Sequence, residues 1–269
     1  MTDWPAIQAL IRSAGKTLPV LWDWEAHLTD ECFVVADKEN RLVGAFLASS
    51  DETPVAWVRL AAAADALDIR RWLALSLPPI LERLRIRGVH ELAWMDHAEW
   101  AAPYLETHGF RRLAEVVTLA KTIHEAPRTR RQRIVTLRAG SVVDAAAIAA
   151  IDRAAFTRYW WRSEATVRRR AATPCRFTVA ECKKRVVGYA ELELQPPAAH
   201  LNRIAVAPDY QEQGIGASLM SSVLHSLWRS GAQTVSLNTQ RHNARSRRLY
   251  ERFGFSETGD AATVWTLRL

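Results

Sequence analysis

The chain has 269 residues, 49% hydrophobic and 24% charged, a composition that fits a globular protein and excludes a disordered polymer. No apolar run approaches the roughly 20 residues needed to span a bilayer, and three cysteines (Cys32, Cys175, Cys182) with no Cys/His pairing of zinc-site spacing exclude a disulfide framework and predict no metal. The formal charge of +7 is uneven: residues 1–126 carry 13 Lys/Arg against 18 Asp/Glu, and residues 127–269 carry 23 against 11, so the second half is suited to an anionic ligand.

In chain order, the first residues, Met1-Thr2-Asp3-Trp4-Pro5, lack the basic start and apolar stretch of a secretion signal, and a reducing cytoplasm is expected. Phe33–Gly44 then reads as a strand, a polar turn and a second strand, and it recurs as Phe177–Gly188 at an offset of 144. At the same offset Arg59-Leu60-Ala61 falls on Arg203-Ile204-Ala205, and near the end of each half Tyr104–Phe110 meets Leu249–Phe255 at an offset of 145. The register holds too long for chance, and the chain reads as one fold written twice. Between the copies, His124–Arg133 is polar, basic and without apolar periodicity, which predicts a linker.

In the second copy, periodicity predicts helices over Val143–Phe156 and Ser163–Ala171 and strands at Ile134–Arg138, Phe177–Glu181, Val186–Leu194 and Leu201–Val206. Ile215, Leu219, Val223, Leu224 and Leu227 recur at helical spacing and predict a helix over Gly216–Arg229. A strand at Thr234–Asn238, a helix at Ala244–Arg252 and a final strand pair from Phe255 to Leu269 complete a mixed α/β order. Gln211-Glu-Gln-Gly-Ile-Gly-Ala217 joins a strand to a helix, where unpartnered amides and the helix dipole favour an anion and glycines admit a pyrophosphate. A dinucleotide fingerprint needs a third glycine where Leu219 stands, and a nucleotide P-loop needs Gly-Lys-Ser/Thr. Neither is present.

Leu201–Ala217 together with Asn243–Phe255 resembles the GNAT superfamily of acetyltransferases. The donor loop, Arg/Gln-x-x-Gly-x-Gly/Ala, is matched by Gln211, Gly214 and Gly216, and the second signature by Asn243, Leu249, Tyr250, Gly254 and Phe255, with Ser246 in place of the usual alanine. The resemblance covers about 135 residues. It implies an α/β chain of two GNAT-like domains, each a mixed, mostly antiparallel central sheet flanked by helices. By the same resemblance, backbone groups of Ile204, Ala205 and Val206 pair with the pantetheine arm of acetyl-CoA, amides of Gln213, Gly214, Ile215, Gly216 and Ala217 hold the pyrophosphate, and Asn243 bonds the pantetheine region. Gln211, Glu212, Ser246 and Tyr250 complete the expected cofactor-binding set. Tyr250 stands near the sulfur as proton donor to the departing thiolate. Counting back from Gln211 places His200 at the general-base position, with Glu191 and Glu193 on the neighbouring strand as alternatives. Arg241, Arg245 and Arg248 recur at i, i+4 and i+7 and would share a helical face.

The first copy lacks this machinery. At the offset of 144, Arg70 and Trp72 take the places of Gly214 and Gly216, and Ala56 that of His200; Leu105 takes that of Tyr250. The expected map is therefore a degenerate domain over 1–122, a linker over 123–133 and an acetyl-CoA-using acetyltransferase domain over 134–269. The expected acceptor is a primary amine of a small molecule or a peptide N-terminus, with a mycothiol-synthase-like amino-sugar conjugate and a non-catalytic CoA-binding sensor as alternatives. No nucleic acid or membrane partner is expected, and an oligomer is open.

Overall fold

The computed structural model describes residues 4–17, 33–39, 41–97, 99–125, 134–173 and 176–269. Most of the expected linker (126–133), Cys32 and Cys175 lie outside the described residues. The chain divides into two compact units, Met1–Glu115 with Ala262–Leu269, and Val116–Ala261. Boundaries at 122 and 134 do not coincide with these units, for a reason that lies in strand pairing.

The first unit contains α1 (Trp4–Ser13), β1 (Lys16–Thr17), β2 (Phe33–Lys38), β3 (Arg41–Glu52), β4 (Val55–Ala63), α2 (Ile69–Ile86), β5 (Glu91–Asp96) and α3 (Ala102–Thr107). Alternation along β3 divides its side chains between two apolar layers. Ala45 and Leu47 meet Ile7 and Leu10 of α1, while Phe46 and Ala48 meet Trp72, Leu73 and Leu77 of α2. β2, β3 and β4 are antiparallel neighbours, and β4 pairs in parallel with β5.

The second unit runs β7 (Thr136–Ala139), α4 (Ala145–Ala155), α5 (Glu164–Ala171), β8 (Phe177–Cys182), β9 (Arg185–Gln195), β10 (Ala198–Val206), α6 (Ile215–Arg229), β11 (Thr234–Gln240) and α7 (Ala244–Arg252). From β8 onward it repeats the order that the first shows from β2 to α3. β7 to β10 are antiparallel neighbours and β10 pairs in parallel with β11. α6 buries Ile215, Leu219, Met220, Val223, Leu224 and Leu227 against one sheet face, each worth about 1.5–3 kcal/mol of transfer free energy. α4 and α5 cover the other face around Tyr189 and Phe177.

Each copy ends in one long strand, β6 (Arg111–Thr122) and β12 (Ser256–Arg268), so the expected final strand pair is a single strand of 13 residues. These last strands are exchanged. Val116–Thr122 of β6 pairs antiparallel with β11, and Thr263–Arg268 of β12 pairs antiparallel with β5. Each compact unit is thus closed by a strand from the other copy.

Candidate active site

The site is built where β10 and β11 part company. Ala198–Leu201 pairs with Thr234–Leu237, but the pairing stops there, and a bulge interrupts β10 between Leu201 and Arg203. Beyond it Arg203–Val206 bonds only to β9, leaving the other backbone edge of the strand without a strand partner. On this stretch the Val206 carbonyl is taken by Gln211 Nε2, and the remaining edge N–H and C=O groups, without a strand partner among the described residues, suit an extended chain such as a pantetheine arm.

The opening leads to the start of α6. Gly214 is the N-cap, at φ +79°, a conformation that disfavours any side chain, and no side chain caps the helix. The first helical amides therefore have no internal partner. A Cβ at Gly216 would make only ordinary contact, 3.6 Å from Leu249 Cδ2, so nothing in the protein itself demands glycine there. Together the strand edge and the helix start line a cleft of about 530 Å³. Of the expected cofactor-binding residues, Ile204, Ala205, Val206, Gln211, Glu212, Gly214, Ile215, Gly216, Ala217, Asn243 and Ser246 line it.

Gln213 does not; its side-chain amide donates to the Asp209 carbonyl at 3.2 Å. Gln211 donates from Nε2 to the Val206 carbonyl at 2.9 Å, and its oxygen accepts from Arg245, which also pairs with Glu212. Asn243 is the N-cap of α7, its Oδ1 accepting from the Ser246 amide at 3.2 Å, which leaves both its side-chain N–H groups for a ligand. The expected arginine face needs correction. Arg241 precedes α7 and pairs with Glu257, whereas Arg245, Arg248 and Arg252 line the cleft. The sequence spacing counted Arg241 into a helix that starts only at Ala244.

Tyr250 is buried in the α6 layer, not in the cleft lining, with its ring centroid 6.1 Å from that of Phe255. Burial pushes its hydroxyl up to about 12, with a hydrogen bond to Ser246 opposing. Gly254, at φ +81°, turns the chain so that the Phe255 amide donates back to the Tyr250 carbonyl at 3.1 Å. This is the physical content of the Gly-Phe ending. His200 sits before the bulge, where the strands are still paired, and its Nδ1 lies 2.8 Å from Ser236 Oγ. Burial lowers its pKa below 6.5, with the charges of Glu193 and Glu191 opposing.

Glu191 is a different matter. It is fully buried and carries Arg162, Arg170 and Arg176 on its two oxygens. Burial alone would raise its pKa, but the charges of Arg162 and Arg170 and hydrogen bonds from Arg176 and Arg170 hold it down to about 2. A carboxylate so neutralised is a structural anion and a poor base, which corrects its place among the candidate bases. Glu193 pairs with Arg176 at 2.6 Å and accepts from Asn202, which keeps its pKa lowered against the effect of burial. Beside these lies a second buried group, Asp152, holding Tyr189 and Arg203. Sequence reading missed this cluster.

The corresponding helix start in the first copy is closed. α2 is capped by Asp68, whose carboxylate accepts from the Arg71 amide at 3.2 Å. Helix starts align Asp68 with Gly214 and Arg70 with Gly216, two positions from the alignment given by the constant offset of 144. Trp72 instead points into the core, its ring 6.0 Å from Phe46. At the helix start the second copy has a glycine and the first an acid.

Both sequence signatures, Leu201–Ala217 and Asn243–Phe255, lie within a segment that matches a known family. Residues 145–255 match the acetyltransferase (GNAT) family, and this segment is a GNAT acetyltransferase domain. The chain is 36% identical over 73 residues to the [ribosomal protein bS18]-alanine N-acetyltransferase of Escherichia coli K12, a match covering 27% of this chain and 49% of that one. It thus spans about half the length of that relative. It is also 32% identical over 100 residues to the mycothiol acetyltransferase of Acidimicrobium ferrooxidans, covering 35% of this chain and 32% of the other. A tandem GNAT protein from the clavulanic acid biosynthesis pathway shares the fold at a TM-score of 0.61 and 15% identity, over 87% of this chain and 81% of that one.

Proposed function

We propose that the second unit transfers the acetyl group of acetyl-CoA to a primary amine, and that the first copy binds no acetyl-CoA. One observation carries this reading. The free edge of β10 and the uncapped start of α6 face one cleft, matching in order the pantetheine and pyrophosphate of a CoA thioester. When bound, acetyl-CoA supplies an activated acyl carbon with a thiol leaving group. Amides along Ile204–Val206 of β10 are the fixed donors for the carbonyl oxygen, where negative charge develops. By the GNAT resemblance Tyr250 is the proton donor to the thiolate and His200 the base for the incoming amine. Both are neutral in their buried settings and neither lines the cleft, so each proton passes through water or a neighbouring hydroxyl, Ser246 for Tyr250 and Ser236 for His200. No metal enters this reading.

The similarity to a protein-alanine N-acetyltransferase favours a peptide N-terminus as acceptor, and the weaker similarity to a mycothiol acetyltransferase keeps an amino-sugar conjugate as the second reading. A thiol-release assay over both classes of amine tests the proposal. Release of free CoA dependent on a peptide with an unblocked N-terminal alanine supports the first acceptor, and dependence on a cysteinyl amino sugar alone supports the second. Acetyl-CoA binding without release from any amine leaves a CoA sensor, and the transferase reading then fails.

A further inference from the structure

Arg203 is the first residue of β10 after the bulge, where the strand leaves β11. Its guanidinium pairs with Asp152, donates to the Trp160 carbonyl at 2.7 Å and stacks 4.5 Å from the centroid of Phe156. Asp152, fully buried in α4, also accepts from the Tyr189 hydroxyl and from the Arg162 amide at 3.0 Å. The Trp161 indole donates to the Phe156 carbonyl at 2.9 Å, and the Arg162 side chain is fixed on Glu191. The segment from Phe156 to Arg162 is therefore tied at both ends and in the middle, and Phe156 lines the donor cleft.

We propose that Arg203, held by Asp152, is a positioning residue for the acceptor: it pins the segment 156–162 beside the parted end of β10 and so fixes one wall of the place where the amine meets the thioester. The inference rests on the acetyl-transfer reading. Neutralising Asp152 needs only a cation. The carbonyl of Trp160 and the face of Phe156 need a planar group that bonds and stacks at once, which arginine supplies and lysine does not. The chemistry of the side chain thus points to the loop as well as to the buried acid.

The test is Arg203→Lys in the full chain, with acetyl-CoA as donor and a peptide with a free N-terminal alanine as acceptor. The charge beside Asp152 is kept, so the calorimetric Kd for acetyl-CoA should stay within about threefold while the acceptor KM rises about tenfold or more and kcat changes less. An unchanged acceptor KM overturns the proposal, as does a KM rise matched by an equal loss of acetyl-CoA affinity. Hydrogen exchange on the wild-type chain gives a reading independent of any variant. The amides of Trp160 and Arg162, bonded to the Thr157 carbonyl and to Asp152, should exchange slowly, and rapid exchange at both overturns the clamp. If the wild type releases no thiol with any amine, the transfer reading itself has failed, and that outcome is separate from a KM unmoved in an active enzyme.

Discussion

Tyr250 and His200 are held neutral by the same force. Burial penalises the charged form of each, which raises a phenol and lowers an imidazole. The sign matters for the pH dependence. His200 acts as a base only when unprotonated, and its lowered pKa keeps it so through neutrality, so the acid limb of kcat should lie below pH 6.5. Tyr250, pushed up to about 12, should stay protonated and add no alkaline limb in the ordinary range. The profile is best read in kcat, which reports the bound complex, because a free α-amine itself titrates at about pH 8. His200→Ala should remove the acid limb, and Tyr250→Phe should lower kcat about 10²-fold with the limb intact. An acid limb that persists in His200→Ala would assign the proton to another group or to water.

At the level of elements, what the sequence displayed was local. α7 occupies the residues that periodicity assigns to it, and α6 begins one residue before the predicted Gly216, because a cap, a glycine turn and an apolar stripe are written in neighbouring positions. Partners were not legible. Nothing in the alternation of β6 says that it pairs with β11, and nothing in Glu191, two residues from Tyr189 on the same strand face, says that α4 and α5 cover that face. A charged residue alternating along a strand reads as solvent-facing, and here three arginines make it a buried anion instead. Strand exchange also has a consequence for dissection. A fragment of residues 123–269 lacks β6, so β11 loses its antiparallel neighbour, and its residues 263–268 lose β5. Exposed strand edges of this kind pair with other chains. The fragment should aggregate on expression, whereas residues 114–261 should give a soluble product with a cooperative thermal transition. A well-folded 123–269 melting like the full chain would show that the exchanged strands are dispensable.

Across the whole molecule, one fold is used twice with opposite settings at one point. Where α6 starts on a glycine at φ +79° with no side-chain cap, α2 starts on Asp68, whose carboxylate accepts from the Arg71 amide and puts a negative charge at the helix start that the proposed function gives to a phosphate in the other copy. The proposed function therefore requires one acetyl-CoA per chain. Titration calorimetry of acetyl-CoA into the full chain should give one site per chain, and Gly214→Asp, which brings an acid to this helix start, should abolish binding while the chain still melts cooperatively, at a temperature lowered by the roughly 1–3 kcal/mol that a side chain costs at φ +79°. Two sites per chain, or undiminished affinity in Gly214→Asp, would contradict the assignment of the donor site to the α6 cleft.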